Sequence, residues 1–159
     1  MSLATQFESA LLLILAVILS TLIGLERERR DSPAGMRTHM LVGLGACLFT
    51  LLSIHAFPEP RDSARVAAQI VVGIGFLGAG TIIQRRRNVH QLTTAASIWA
   101  TAAVGMAVGT GAWFLAIIAA VLIWVVLSIL RRLEAEKRVG HKDFETEAKK
   151  ESPAPLDEG

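Results

Sequence analysis

Four stretches of this 159-residue chain carry no charged side chain: Ser9–Leu25, Thr38–Pro58, Val66–Gln84 and Asn88–Leu130. Each of the first three is about long enough to cross a ~30 Å hydrocarbon core as a helix rising ~1.5 Å per residue. The last is 43 residues long, enough for two crossings, and its "GTGA" at Gly109–Ala112 is a natural turn between them. A hydrophobic content of 52% and a mean hydropathy of +0.49 are too high for a soluble domain of this length. The pattern predicts an all-α membrane protein with five transmembrane helices at about 9–25, 38–57, 65–83, 93–109 and 112–130. Residues 1–130 form the membrane domain, and 131–159 form a charged tail.

One motif argues for something else. "VVGIGFLGAGTI", Val71–Ile82, contains G-x-G-x-x-G-x-G, the spacing of a dinucleotide-binding turn. That turn needs a strand before it, a helix starting at the glycines, and an acidic residue about 20 positions on to hold a ribose. Here the glycines fall in the second half of an apolar run, and no Asp or Glu lies between Asp62 and Glu134. Nucleotide binding is rejected, and nothing points to nucleic acid or to a cofactor.

Basic residues set the expected orientation. Arg27, Arg29, Arg30 and Arg37 flank the first loop, Arg85, Arg86 and Arg87 the third, and Arg131 and Arg132 open the tail. The opposite side has only Arg61 and Arg65, with Glu59 and Asp62 beside them. The positive-inside rule then places the N-terminus outside and the C-terminus in the cytoplasm. Nothing basic precedes the first apolar run, so a cleaved signal peptide is not expected. The single cysteine, Cys47, excludes disulfide scaffolds and cysteine-based metal sites. In the tail, Arg131–Ser152 is dense in both signs and reads as a solvated helical extension. Pro153–Gly159 reads as a disordered end.

Small residues in lipid-embedded helices let backbones approach closely. Ser97, Thr101, Gly105 and Gly109 recur every fourth residue along one ridge of the fourth helix. On the third helix Gly75 and Ala79 form a small-x-x-x-small pair, with Gly73, Gly78 and Gly80 thinning the neighbouring faces. The second helix adds Gly43, Gly45 and Ala46. Tight packing of helices two, three and four is expected, with a homodimer contact as its extension. A break near Gly78–Gly80 lining a polar cavity is the alternative, because glycine weakens a helix. Polar residues within the runs (Gln69, Ser53, Thr50, Ser97, Thr101) are expected to satisfy themselves locally. His39, His55 and His90 lie near helix ends and lack metal-ligand spacing; Trp113 suits an interfacial anchor. There is no nucleophile–base pair and no paired carboxylate in the apolar runs, so an enzyme is not expected.

The loops are more informative. "GLERERRDSPAGMRTH", Gly24–His39, puts Glu26 and Arg27 where the first helix leaves the membrane and returns to Arg37 and Thr38. "QRRRNVHQLTTAASIW", Gln84–Trp99, runs from an arginine cluster to Thr93 and Thr94, either of which suits the N-cap of the fourth helix. Glu26 is expected to accept from Arg37, from Arg85–Arg87 or from that helix start. The expected consequence is that Glu26→Gln impairs function more than Glu28→Gln.

These two stretches, with "RVAAQIVVGIGFLGAG" between them, resemble the MgtC/SapB (YhiD-like) family of bacterial inner-membrane proteins over about Gly24–Gly111. The matching positions in the first motif are Gly24, Glu26, Arg27, Arg30, Gly35, Arg37 and Thr38. In the second they are Arg65, Gln69, Gly73, Gly75, Gly78, Gly80, Asn88, Thr94 and Trp99. The resemblance implies a five-helix, multi-pass inner-membrane protein linked to magnesium homeostasis, growth at low Mg²⁺, acid resistance and survival inside macrophages. In the MgtC branch it further implies inhibition of the ATP synthase. The chain departs from the virulence branch at Thr93 and Ala100, where that branch has Asn and Cys. Its Arg85–Arg87 replaces an acidic, glycine-containing loop, and its 29 tail residues are too few for the ACT-like C-terminal domain of longer members. A short, SapB/YhiD-like branch is therefore expected.

Two functions compete. One is a non-enzymatic regulator that touches a membrane partner, such as the ATP synthase, through its helices. The other is a transporter or channel for Mg²⁺ or another ion. Magnesium prefers six oxygens, with carboxylates supplying charge. No carboxylate lies within the apolar runs, so such a path would use backbone carbonyls around Gly73–Gly80 or sites shared between protomers. The regulator is favoured, with Glu26, Arg27, Arg30, Arg37, Asn88, Thr93 and Thr94 as its candidate functional residues.

Overall fold

The computed structural model describes residues 1–57, 62–85 and 88–130; for Ser63, Arg85, Asn88 and Leu130 it describes the backbone alone. The expectations for Arg86, Arg87 and the 131–159 tail lie outside the described residues. Five α-helices and one short hairpin follow in order: α1 Leu3–Glu28, α2 Met36–His55, α3 Ser63–Thr81, β1 Ile83–Arg85, β2 Asn88–His90, α4 Leu92–Gly109 and α5 Trp113–Val125. The first four helices are long and apolar enough to cross a membrane; the fifth apolar helix, Trp113–Ile129, is shorter. The chain is an all-α multi-pass membrane protein.

Local chemistry explains most boundaries. Ser2 caps α1 by accepting from the Thr5 N–H at 3.1 Å, and Asp62 caps α3 by accepting from the Arg65 N–H at 3.0 Å. Helix α1 begins earlier than the uncharged run because Glu8 is tolerated in an exposed turn. At the other end α1 runs on through Glu26 and Glu28 before Asp31, at φ +50°, turns the chain. Gly111, at φ +82°, makes the α4–α5 turn where the sequence places one.

Two features differ from expectation. The arginine loop is a two-stranded antiparallel hairpin, pairing Ile83 with His90 and Arg85 with Asn88, so α3 stops at Thr81. Thr93 and Thr94 are not N-caps. Gln91, in the left-handed region at φ 72°, redirects the chain out of β2 and starts α4 at Leu92. Helix α3 is continuous through Gly78 and Gly80, which removes the alternative of a break there.

Within the unit Met1–Trp124, helices α1, α2 and α4 pack on one another and α3 lies mainly against α4. Glycine sets the closest approach. A Cβ on Gly105 would collide with the Gly43 carbonyl oxygen, and one on Gly43 would collide with the Ser20 hydroxyl, so three helices meet at Gly43. The Ser20 hydroxyl is fully buried there with no hydrogen-bond partner among the described residues, a cost accepted for small size. One turn on, a Cβ on Gly109 would lie 2.9 Å from the Cys47 carbonyl oxygen. Ser97, Thr101, Gly105 and Gly109 are all buried along this ridge. On α3 only Gly78 has a neighbour, Ala95 of α4; beside Gly73, Gly75 and Gly80 there is open space. Packing among α2, α3 and α4 rests instead on Ala46, Ile70 and Ala102, with Val42, Val66, Ile74 and Met106 around them. In the second unit, from Val125, the described residues Val126–Leu130 adopt the wider π-helical spacing.

Candidate functional site: a buried polar latch

The α1–α2 loop and the β1–β2 hairpin lie at the same end of the bundle, and polar side chains between them are buried. Arg27, on the last turn of α1, is 5% exposed. Its Nη2 donates to the Ser32 hydroxyl at 2.7 Å and to the Thr94 hydroxyl at 3.1 Å. Thr94 in turn donates to the Gln91 side-chain oxygen at 3.0 Å, and Ser32 and Thr94 are 3.2 Å apart. One guanidinium thereby holds the end of α1, its following loop and the first turn of α4. Both bonds leave one nitrogen of the guanidinium, and its charge strengthens each of them.

His39 makes the second link. It is fully buried on α2, with Nδ1 2.9 Å from the Gly35 carbonyl oxygen and Nε2 3.1 Å from the Ser97 hydroxyl of α4. A carbonyl can only accept, so Nδ1 carries a proton. Ser97 also lies 2.8 Å from the Thr94 carbonyl oxygen, so its one hydroxyl proton serves either that oxygen or Nε2. Its hydroxyl connects the histidine link to the arginine link through one turn of α4. Thr101 donates to the Ser97 carbonyl oxygen and closes the polar stretch on the backbone.

The carboxylates act differently from expectation. Glu26 is buried, and it accepts from Arg30 one turn along its own helix rather than from Arg37 or the start of α4. The geometry follows from i,i+4 spacing, which brings the two side chains together before either can cross to another helix. Glu28 is exposed, yet its Oε2 accepts from the Met36 N–H at 2.6 Å and so caps α2 from across the loop. A Cβ on Gly35 would come within 2.5 Å of that oxygen, so glycine is what lets Glu28 in. Glu28→Gln, which keeps an acceptor oxygen, is therefore not an inert control. We expect Glu28→Ala to cost about 0.5–1 kcal/mol in detergent unfolding and Glu28→Gln to cost less.

Arg37 and Thr93 are exposed, and Asn88 lies in β2 opposite Arg85. Of the candidate functional residues, the structure joins Arg27 to Thr94 and Glu26 to Arg30. It adds Ser32 and Gln91, which the sequence does not single out, and His39 and Ser97, which the sequence marks only as a helix-end histidine and a packing residue. A shallow polar pocket of about 450 Å³, lined by Glu28, Asp31, Ser32, Gly35, Arg37 and Thr38, opens beside the latch. Among the described residues no three of His, Cys, Asp and Glu come together in a way that could hold a metal ion. The arrangement is suited to fixing three helices together and to passing a displacement of one loop to the other.

Comparison with known proteins agrees with the motifs. The MgtC family model matches residues 13–136. "Putative magnesium transporter YhiD" of Escherichia coli strain K12 is 44% identical over 128 residues, covering 76% of this chain and 60% of that protein. Protein MgtC of Salmonella typhimurium strain LT2 is 41% identical over 145 residues, covering 91% of this chain and 61% of that protein. An uncharacterized protein of Haemophilus influenzae is 42% identical over 122 residues, covering 71% and 51%. The chain thus spans about 60% or less of these relatives' length. No solved structure gives a significant match. With the family model covering most of the chain and its helices built to cross a membrane, the chain belongs to the MgtC family.

Proposed function

We propose that this protein is a non-enzymatic regulator in the bacterial inner membrane, linked to magnesium homeostasis and adaptation to low Mg²⁺ or acid stress. It acts by helix contact on a membrane-protein partner. The observation that carries the reading is the closure of the bundle at Gly43. With the Gly105 backbone on one side and Ser20 on the other, α1, α2 and α4 leave no room for an ion and its water between them. Toward the loops, the polar side chains of Arg27, Ser32, Thr94, His39 and Ser97 are engaged with one another. They hold the helices rather than face a path. The proposed orientation places the latch end in the cytoplasm, in keeping with its arginines. There a soluble or membrane-bound partner could displace either loop. The ATP synthase is the partner class that the MgtC branch suggests, and a virulence role belongs to the same proposal.

The name of the YhiD relative favours a second reading, a magnesium transporter. That reading would route the ion along α3, whose Gly73, Gly75 and Gly80 are open. A deletion strain of the host grown at limiting Mg²⁺ separates the two. The regulator restores growth without raising cellular Mg²⁺ uptake. Growth restored in step with faster uptake favours the transporter.

A further inference from the structure

Helices α2 and α3 part along a groove of about 520 Å³. On α2 it runs from Leu41 to Phe49, and on α3 from Val66 to Leu77. The rise from Val66 to Leu77 is about 16 Å, close to one leaflet of a ~30 Å hydrocarbon core. Gly45 and Gly73 hollow its two walls, since a Cβ on either would meet nothing within 4 Å. Spread over that length, the volume leaves a cross-section of roughly 30 Å², against about 80 Å² for a helix ~10 Å across. An extended hydrocarbon chain enters such a groove, and a partner helix does not.

Its polar end is set by the first two turns of α3. Gln69 is the one polar side chain among the groove residues, and its amide makes no hydrogen bond to any described residue. In hydrocarbon an amide without a partner is costly. Arg65 lies one turn before Gln69, and Asp62, at the N-cap, lies one turn before Val66. Both are exposed. One carboxylate oxygen of Asp62 accepts from the Arg65 N–H at 3.0 Å, but among the described residues neither side chain is in an ion pair. From water inward the order is therefore a carboxylate, a guanidinium, an amide and a dry slot.

We propose that this groove binds a zwitterionic phospholipid whose head carries a primary ammonium, with one acyl chain laid between α2 and α3. Such a lipid presents the matching groups in the same order. Its ammonium meets Asp62, its phosphate meets the Arg65 guanidinium, and a glycerol ester carbonyl accepts from the Gln69 amide. Its chain then fills the slot beside Gly45 and Gly73. An anionic phospholipid without the amine sets its negative charge against Asp62 with nothing to offset it there. The opposite end of the groove lacks this series: Arg37, one turn before Leu41, lines the polar pocket of the α1–α2 loop. The lipid therefore belongs to the leaflet where α3 begins.

The test is native mass spectrometry of the full chain in detergent, with phosphatidylethanolamine or phosphatidylglycerol of the same acyl chains added. We expect one phosphatidylethanolamine per 17.1 kDa chain, held more tightly than phosphatidylglycerol. Arg65→Gln should weaken it about tenfold, the loss of one charge-assisted hydrogen bond. Gly45→Leu should abolish binding by filling the slot. Because the new side chain enters open space, unfolding of this variant in lipid-free detergent should match wild type. Arg37→Gln, at the other end of the groove, should leave binding unchanged. Equal binding of the two lipids, binding indifferent to Arg65→Gln or Gly45→Leu, or an equal loss with Arg37→Gln would each overturn the proposal. So would a polypeptide, in place of lipid, whose retention depends on Gly45.

Discussion

Gly105→Ala is expected to destabilise the protein by about 3 kcal/mol, the upper range for inserting one methyl group into a packed core. The new Cβ would collide with the Gly43 carbonyl oxygen and lie 3.0 Å from the Gly43 Cα. Backbone atoms cannot rotate aside as a side chain can, so α2 and α4 must separate along a ridge that also includes Gly109. Gly75→Ala, by contrast, is expected to be near neutral, since nothing lies within 4 Å of its added methyl. Thermal unfolding of the two variants in the same detergent checks the pair. A Gly105→Ala protein as stable as the Gly75→Ala protein would mean that the helices do not touch at Gly43.

Arg27→Met is the second large effect, at about 2–3 kcal/mol. Methionine keeps most of the side-chain volume but removes both charged hydrogen bonds, to Ser32 and Thr94, at a residue that is 5% exposed. Ser32 and Thr94 can still bond to each other and Thr94 to Gln91, which limits the loss. Arg27→Lys should fall between wild type and Arg27→Met, since an ammonium keeps the charge but on a differently shaped head. Exposed Arg29, two residues on, is the control, and Arg29→Met should change stability by less than about 0.5 kcal/mol. Chemical unfolding of all three in detergent measures this. Equal effects at Arg27 and Arg29 would contradict the latch.

The two variants differ in how far the sequence foretells them. The ridge on α4 is legible because small residues at every fourth position mean close backbones whatever the partner helix is. The glycines of α3 carry the same signal, yet the structure leaves Gly73, Gly75 and Gly80 open. Small-residue spacing permits a close approach without requiring that a neighbouring helix be there. The latch was half visible. Arg27 and Thr94 stand out as polar residues at helix ends, but the sequence does not tell that Arg27, and not Glu26, reaches the start of α4. Both residues lie at the same depth, and which of the two points toward α4 depends on the helical phase of α1 relative to its neighbours. His39 reads as an ordinary helix-end histidine, because one turn inside a helix is a common place for one. Its burial becomes apparent only once α4 brings Ser97 against it. The hairpin was hidden for a simpler reason: strands of three residues are too short to show an alternating pattern.

The proposed function requires that this membrane domain works by contact and does not conduct magnesium. Purified protein reconstituted into liposomes carrying an internal Mg²⁺ indicator tests it directly. With an inward Mg²⁺ gradient and a potassium diffusion potential negative inside, the account predicts Mg²⁺ entry no faster than in protein-free liposomes. Entry that rises with protein content and saturates with external Mg²⁺ would contradict it.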